Sequence, residues 1–367
     1  MSSPTTFAIV GSGWRSEFFV RLARLLPEEL TLVAGVVRRP EAAEEVAGRW
    51  SVPTYLSVDE MVSAQHPAFV VTSVPRAVNP EIVAGLVASG THVLSETPPA
   101  TDLDGMRRLW SEVGGSGLVQ VAEQYLLLPG HATRLALVRR GVIGQCSSVQ
   151  VSSTHDYHAV SIMRGYLGLL GAEQGPVRVQ AARYEAPMVD PLGRDGWTDD
   201  PDVKDTGTLL GLIDFGDGRS GLYDFTDNQW HNQLRARRVI IRGSHGEIQN
   251  DTVLRLAGAR SIVASGIERR QLGYDLDLGG YDTEHLSWNG EVVWRNPLLG
   301  LRLMDEEIAI GTMLVANAAW ARDEGPAPYP LADACQDHHV ALAVHEAART
   351  ATPVTAAVEP WARELRR

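Results

Sequence analysis

In the first third of the chain, short apolar runs alternate with stretches whose apolar residues recur at helical spacing. Residues 7–10 form an apolar run that ends at Gly11. Phe18, Phe19, Leu22 and Leu25 then repeat every three to four positions before Pro27. The same reading predicts strands over 31–37, 69–74, 92–95 and 118–122, and helices over 41–50, 81–89 and 102–113. Strands spaced by helices of ~10–15 residues predict βαβ units and a parallel sheet. The pattern changes near Tyr125. A helix over 129–140 ends at Gly141, and alternating runs follow over 147–154, 177–185, 206–214, 219–226 and 237–242. Turn signals such as Gly216-Asp217-Gly218 and Gly243-Ser244-His245-Gly246 separate them, so an antiparallel sheet is expected, with a helix over 161–170 set into it. Residues 187–201, rich in Pro, Gly and Asp, read as a functional or mobile loop, and 273–290 as irregular. Helices are expected over 305–321 and 331–349. The fold class is α/β followed by α+β, divided into 1–125 and 126–367, with the last helix packing back on the first domain.

Composition narrows the function classes. The 367 residues are 44% hydrophobic and 21% charged, which excludes collagen-like, coiled-coil and disordered chains and suits two domains. The net charge is −12 and there is no basic run, which argues against nucleic acid and anionic lipid as partners. The two cysteines, Cys146 and Cys335, form no Cys-x-x-Cys, so a reducing compartment fits. No apolar run reaches the ~18 residues of a membrane span, and Met1–Thr6 is polar, unlike a signal peptide. A soluble cytoplasmic protein is expected.

The first candidate chemistry is Gly11-Ser12-Gly13-Trp14-Arg15-Ser16, directly after a strand and before a helix. Glycine lets the backbone turn tightly and approach a pyrophosphate, and the helix then offers free N–H groups. Ser16 stands at the third glycine position. If the nucleotide were NAD, the second strand should end in an acid that accepts from the ribose 2′-hydroxyl. It ends in Val36-Val37-Arg38-Arg39 instead. Guanidinium groups suit a 2′-phosphate, which favours NADP over NAD.

The chain resembles the Gfo/Idh/MocA family of nicotinamide-dependent oxidoreductases. The resemblance is carried by Gly11-Ser12-Gly13-Trp14-Arg15, residues 32–41, Val74-Pro75, Ser95-Glu96-Thr97-Pro98-Pro99-Ala100, Gly141-Val142-Ile143-Gly144, residues 242–248 and the last helix. It implies a Rossmann domain followed by an open-faced, mainly antiparallel α/β domain that forms homo-oligomers through its open sheet face. It also implies a sugar, cyclitol or related polyol as substrate. Cofactor contacts are implied at Gly11, Gly13, Trp14, Arg15, Val37, Arg38, Arg39, Ser73, Val74, Pro75, Glu96, Thr97 and Gln124. The sequence departs from the family in four places. Thr97 replaces the lysine of Glu-Lys-Pro, Thr154 stands at the aspartate of Asp-x-x-x-His, Val37 stands where NAD-preferring members carry Asp, and Asn79 stands where many members carry histidine.

Oxidising an alcohol needs a hydride acceptor and a base, and histidine can serve as base or acid near neutrality. By the family spacing His158 is the first candidate. His155 competes with it, Asp156 can orient either, and Tyr157 or Tyr125 can assist. No metal is expected, because no further carboxylate stands at a recognised spacing. Asp224, Thr226 and Asn228 are expected on one face of a strand, which either lines a sugar site or meets solvent. Trp230 either stacks on a sugar or closes a sheet edge. Asp333, Asp337, His338 and His339 lie on the last helix, Asp333 and Asp337 on one face, and read as solvated, domain-bridging or in contact with substrate. Two other activities fit the same resemblance: a redox-neutral, NAD-dependent glycosidase, and a dinucleotide-binding regulator without catalysis.

Overall fold

The computed structural model describes residues 3–273, 276 and 280–363. They form two compact units, one of Met1–Pro129, Gln271–Thr283 and Asn296–Cys335, the other of Gly130–Arg270, Glu284–Arg295 and Gln336–Arg367.

The first unit is built on a six-stranded parallel sheet. Its elements are β1 (Thr5–Val10), α1 (Trp14–Leu25), β2 (Leu30–Val36), α2 (Pro40–Trp50), β3 (Thr54–Tyr55), α3 (Val58–Gln65), β4 (Phe69–Thr72), α4 (Asn79–Ala88), β5 (His92–Ser95), α5 (Leu103–Val113) and β6 (Val119–Val121). The strand order is β3-β2-β1-β4-β5-β6, so the chain reverses direction of travel between β1 and β4. Phe7, Ala8, Ile9, Phe69, Val70 and Val71 are fully buried, as strands covered on both faces require. The expected strand over 69–74 stops at Thr72, because the chain turns there and the Ser73 N–H donates to the Val10 carbonyl. Periodicity missed β3, whose two residues are too few to show alternation. Asp102 is the N-cap of α5, its Oδ1 accepting from the Gly105 N–H at 2.8 Å, so that helix starts one residue later than expected. Helix α8 (Asp305–Ala321) packs with this unit. Its Glu307 pairs with Arg21 of α1 at 2.9 Å.

The second unit begins with α6 (Pro129–Arg139), β7 (Cys146–Ser152), α7 (Asp156–Tyr166), β8 (Val177–Val189), β9 (Leu192–Gly193), β10 (Gly196–Trp197), β11 (Val203–Gly216) and β12 (Arg219–Thr226). It continues through β13 (Arg238–Gly243), β14 (Gly246–Gln249), β15 (Thr252–Gly258), β16 (Ser261–Leu272), β17 (Asp282–Trp288), β18 (Glu291–Arg295), most of α9 (Leu331–Thr350) and β19 (Val354–Ala356). Eleven strands form one sheet in the order β18-β17-β16-β15-β14-β13-β7-β12-β11-β8-β19. Most pairs are antiparallel; β7 and β12 run parallel. One face carries Val149, Val151, Ile213, Tyr223 and Ile241, all buried. Helices α7 and α9 cover that face closely. A Cβ on Gly221 would meet Met163 Sδ at 2.6 Å, and one on Gly211 would meet Val344 at 3.3 Å. The alternate positions leave Leu210, Leu212, Leu254 and Leu256 exposed.

Several expectations are corrected in this unit. Residues 187–201 continue β8 to Val189 and then form the β9–β10 hairpin, closed by the Thr198 N–H on the Pro191 carbonyl. Within 273–290, residues 274, 275 and 277–279 lie outside the described residues, and 282–288 form β17. The helix expected over 161–170 starts at Asp156 and ends at Tyr166, so residues 156–158 are its first turn. Strand β12 ends at Thr226, and Asn228 sits in a turn with φ +61°, so it does not continue the Asp224–Thr226 face.

Candidate functional site

In the first unit the expected cofactor residues gather at the carboxyl ends of the parallel strands, where open α/β sheets bind ligands. Gly11 follows β1 with φ +103°. A Cβ there would lie 2.1 Å from the Ser73 carbonyl oxygen, so glycine is required by both conformation and space. Gly13, the N-cap of α1, is the opposite case, because a Cβ there meets nothing within 4 Å. The loop is thus closed against the sheet at Gly11 and open to a visitor at Gly13. No side chain caps α1, and within its first turn the Ser16 N–H donates to the Gly13 carbonyl at 3.0 Å. Ser16 is fully buried and its hydroxyl donates to the Gly11 carbonyl at 3.0 Å, so it braces the loop. Trp14 is half exposed and stands edge-on to Phe18.

Val37 is buried after β2, while Arg38 and Arg39 are exposed. Neither guanidinium takes part in an ion pair among the described residues. Ser73 and Val74 are half-buried and Pro75 is exposed. Behind them Asn79 is buried: it accepts from the Thr72 hydroxyl at 2.7 Å and donates to Ser95 Oγ at 2.8 Å, tying the ends of β4 and β5 together. Asn79 is therefore a structural brace.

Arg15 is largely buried, and its guanidinium donates to Glu96 at 2.9 Å and to Glu306 at 2.9 Å. Burial by itself would lower its pKa, but the two carboxylates outweigh that and raise it above the ordinary arginine value. The Thr97 N–H also donates to Glu96, at 3.2 Å. Gln124 is buried, with Nε2 3.4 Å from Glu306 and Oε1 without a partner. Tyr125 follows it, half-buried, its N–H donating to Glu123 at 3.2 Å. Sequence reading missed Glu306, which lies 291 positions from Arg15. Its only signal was the acidic triplet 305–307 that opens α8. An open glycine loop, an uncapped helix and an orphaned buried acceptor fit a dinucleotide. Gly11, Gly13 and the first turn of α1 would hold its pyrophosphate.

In the second unit His155, Tyr157 and His158 gather, while Tyr125 belongs to the first. His155 is the extended N-cap of α7, and Tyr157 and His158 are buried in its first turn. The rings of Tyr157 and His158 are 4.4 Å apart, and those of His155 and His158 5.1 Å. Trp230 lies 4.8 Å from the His155 ring and stacks on Phe225 at 5.1 Å and 13°. It belongs to this ring cluster. Thr154 is fully buried and its hydroxyl has no partner.

Helix α9 adds His338, read from sequence as solvated, domain-bridging or in contact with substrate, and His345, which sequence reading did not assign. His338 meets Tyr157 edge-on at 5.6 Å, and His345 Nε2 lies 2.7 Å from Asp156 Oδ1. Asp337 is buried and bonds Arg164 of α7 at 2.5 Å, so it is not solvated. Asp333 is buried in the first unit. Among the described residues, no three of His, Cys, Asp or Glu are grouped to hold a metal, and no helix is long and apolar enough to cross a membrane.

Residues 5–123 match the model of a family described as an oxidoreductase family with an NAD-binding Rossmann fold. No curated protein matches the sequence. Among solved structures, the chain is similar to a levoglucosan dehydrogenase in complex with NADH and L-sorbose, at 15% identity and a TM-score of 0.69, covering 97% of this chain and 99% of that one. It is similar to an oxidoreductase from Agrobacterium radiobacter in complex with NAD+, L-tartaric acid and magnesium, at 14% identity and 0.68, covering 96% and 99%. It is also similar to the WlbA dehydrogenase from Chromobacterium violaceum in complex with NADH and UDP-GlcNAcA, at 15% and 0.63, covering 96% of each.

Proposed function

We propose that this chain, whose residues 5–123 belong to the Gfo/Idh/MocA oxidoreductase family, is an NAD(P)-dependent oxidoreductase acting on the carbinol carbon of a sugar, cyclitol or related polyol. The observation that carries the reading is the glycine loop, shut against Ser73 at Gly11 and open at Gly13. The nicotinamide nucleotide, when bound, supplies the hydride acceptor or donor. The chain's own residues do the rest. Gly11, Gly13 and Trp14 form the turn that receives the pyrophosphate end, the Gly11 N–H itself being given to the Val36 carbonyl at 2.9 Å, and Ser73, Val74 and Pro75 flank the loop. Val37 offers no carboxylate to a 2′-hydroxyl and Arg38 and Arg39 offer exposed charge, which supports NADP over NAD. Glu96, held by Arg15, and Gln124, with its free Oε1, serve the ribose and nicotinamide region. Thr97 donates a hydrogen bond and does not act as a base.

His158 moves the proton of the reacting hydroxyl, with Tyr157 or Tyr125 assisting. Tyr157 is the assistant that the second unit holds against His158. The substrate class is supported by the names of similar structures, which include a sugar dehydrogenase and a nucleotide-sugar complex. The partner is a second copy of the chain, docked on the open sheet face through Leu210, Leu212, Leu254 and Leu256.

The test is a panel of polyols and sugars with NADP+ and with NAD+, followed at the reduced-nicotinamide absorbance, beside an assay of nucleotide released on denaturation. Reduction of added nucleotide by a polyol is the expected result. Glycoside cleavage with retained, unchanging NAD would replace the reading with the redox-neutral glycosidase. Binding without any turnover would leave a regulator.

A further inference from the structure

We infer that Asp156 and His345 are positioning residues for the turn that carries Tyr157 and His158, so that the last helix acts on proton transfer through Asp156. The inference rests on the proposed role of His158. Asp156 is the first residue of α7 and has φ +45°, a left-handed conformation that is disfavoured for an L-residue. Such a conformation persists only when its surroundings over-determine it. Two anchors from different elements do so. The Asp156 N–H donates to the Tyr223 hydroxyl of β12 at 3.0 Å, and the Asp156 carboxylate bonds His345 of α9 at 2.7 Å. Tyr157 and His158 follow at once, so any change at Asp156 turns their rings. A second contact from the same helix, His338 against Tyr157, holds the turn from the side.

The pair also carries a proton. The hydrogen bond to Asp156 raises His345 above its ordinary value, against the effect of partial burial. For Asp156, burial acts upward most strongly, but the bond to His345 and the charges of His345, His155 and His338 together outweigh it, and the carboxyl falls below its usual range. Arg183 of β8 and Asp227 after β12 also face His345, and His155 and His338 face Asp156. Burial and the Asp156 charge push the Tyr223 hydroxyl far upward, so it stays protonated throughout. Deprotonation of His345 therefore removes the cation from one anchor while the other remains, and the turn relaxes.

The test needs no substrate. The full chain is labelled in its histidine rings, and each imidazole is followed by NMR from pH 5 to 9 in the wild type, His345→Gln and His345→Lys. In the wild type, His345 titrates above ~6.5 and the His158 signals show an inflection at the same pH. His345→Gln shifts the His158 signals and abolishes that inflection. His345→Lys keeps the cation, restores the His158 positions and shows no inflection. His158 signals that ignore His345, in the wild-type titration or in either folded variant, would overturn the inference. Loss of the proposed function would show elsewhere, as unchanged turnover in His158→Ala.

Discussion

The two candidate regions are prepared in different ways. At the glycine loop of the first unit, the work falls to the backbone. Gly11 is closed on Ser73, Gly13 is open, and α1 is uncapped, so local chain geometry makes the site. At the His155–His158 turn of the second unit, side chains from distant positions make it. Tyr223, Trp230, His338 and His345 converge on His155, Asp156 and Tyr157, the three residues before His158. A backbone site tolerates change in its neighbours and fails when its own glycines change. A side-chain site fails at a distance.

Substitutions separate the two regimes. The largest expected effect is on turnover: His158→Ala should lower kcat about 10²–10⁴-fold, the usual range for a general acid–base group, and leave nucleotide affinity within about twofold. Steady-state kinetics on a polyol that reduces the nucleotide, beside a binding titration, checks both halves. Next is the Arg164–Asp337 pair, buried at both ends. Arg164→Met strands a buried carboxylate and should cost about 3–5 kcal/mol, read as a lower urea midpoint. An equal loss of nucleotide affinity at constant stability would break the comparison from the other side. Gly11→Ala places a methyl group against the Ser73 carbonyl and should weaken nucleotide binding about 100-fold.

How much of this was legible in the sequence follows the same division. The strand–glycine–helix order and the Val37-Arg38-Arg39 ending are local, so 7–16 and 31–39 could be read directly. Periodicity located β7, β8, β11, β12 and β13 of the second sheet for the same reason, and missed β14 to β19. What could not be read is what long-range packing decides. Glu306 joins Arg15 across 291 positions. His345 looks like any exposed helical histidine until β12 and α7 bring Asp156 to it. Asp337 shares the polar pattern of a solvated helix face, and only the burial of Arg164 reveals its role. The β9–β10 hairpin was hidden because Pro and Gly punctuate both loops and tight hairpins. The start of α7 was hidden because a left-handed aspartate does not announce a helix.

Two smaller effects sharpen the picture. Val37→Asp combined with Arg38→Ala should move the preference from NADP toward NAD by about tenfold or more, checked by paired titrations. Last is the pH dependence of the Asp156–His345 pair. His345 is raised in the folded state, so its contribution is complete below ~6.5 and is lost as pH rises through the folded value. Asp156 is depressed, so its contribution is complete above the unfolded value of 3.8 and is lost as pH falls through the folded one. The pair therefore stabilises most between about pH 4 and 6.5. His345 is half exposed, so the effect is small, about 0.2–1 kcal/mol. Comparing denaturant midpoints of the wild type and His345→Gln at pH 5.5 and 8.5 reads it as a difference that shrinks at the higher pH.

The central claim is that the first unit binds a dinucleotide at its glycine loop, with Arg38 and Arg39 at the adenosine end. The most direct measurement is a titration with NADPH and with NADH, following energy transfer from the protein's tryptophans to the reduced nicotinamide. Trp14, in the loop itself, makes the signal sensitive to that location. The account predicts saturable binding of both, NADPH the tighter, and loss of that preference in the Arg38→Ala, Arg39→Ala double variant. Failure of both nucleotides to bind the wild-type chain would contradict it.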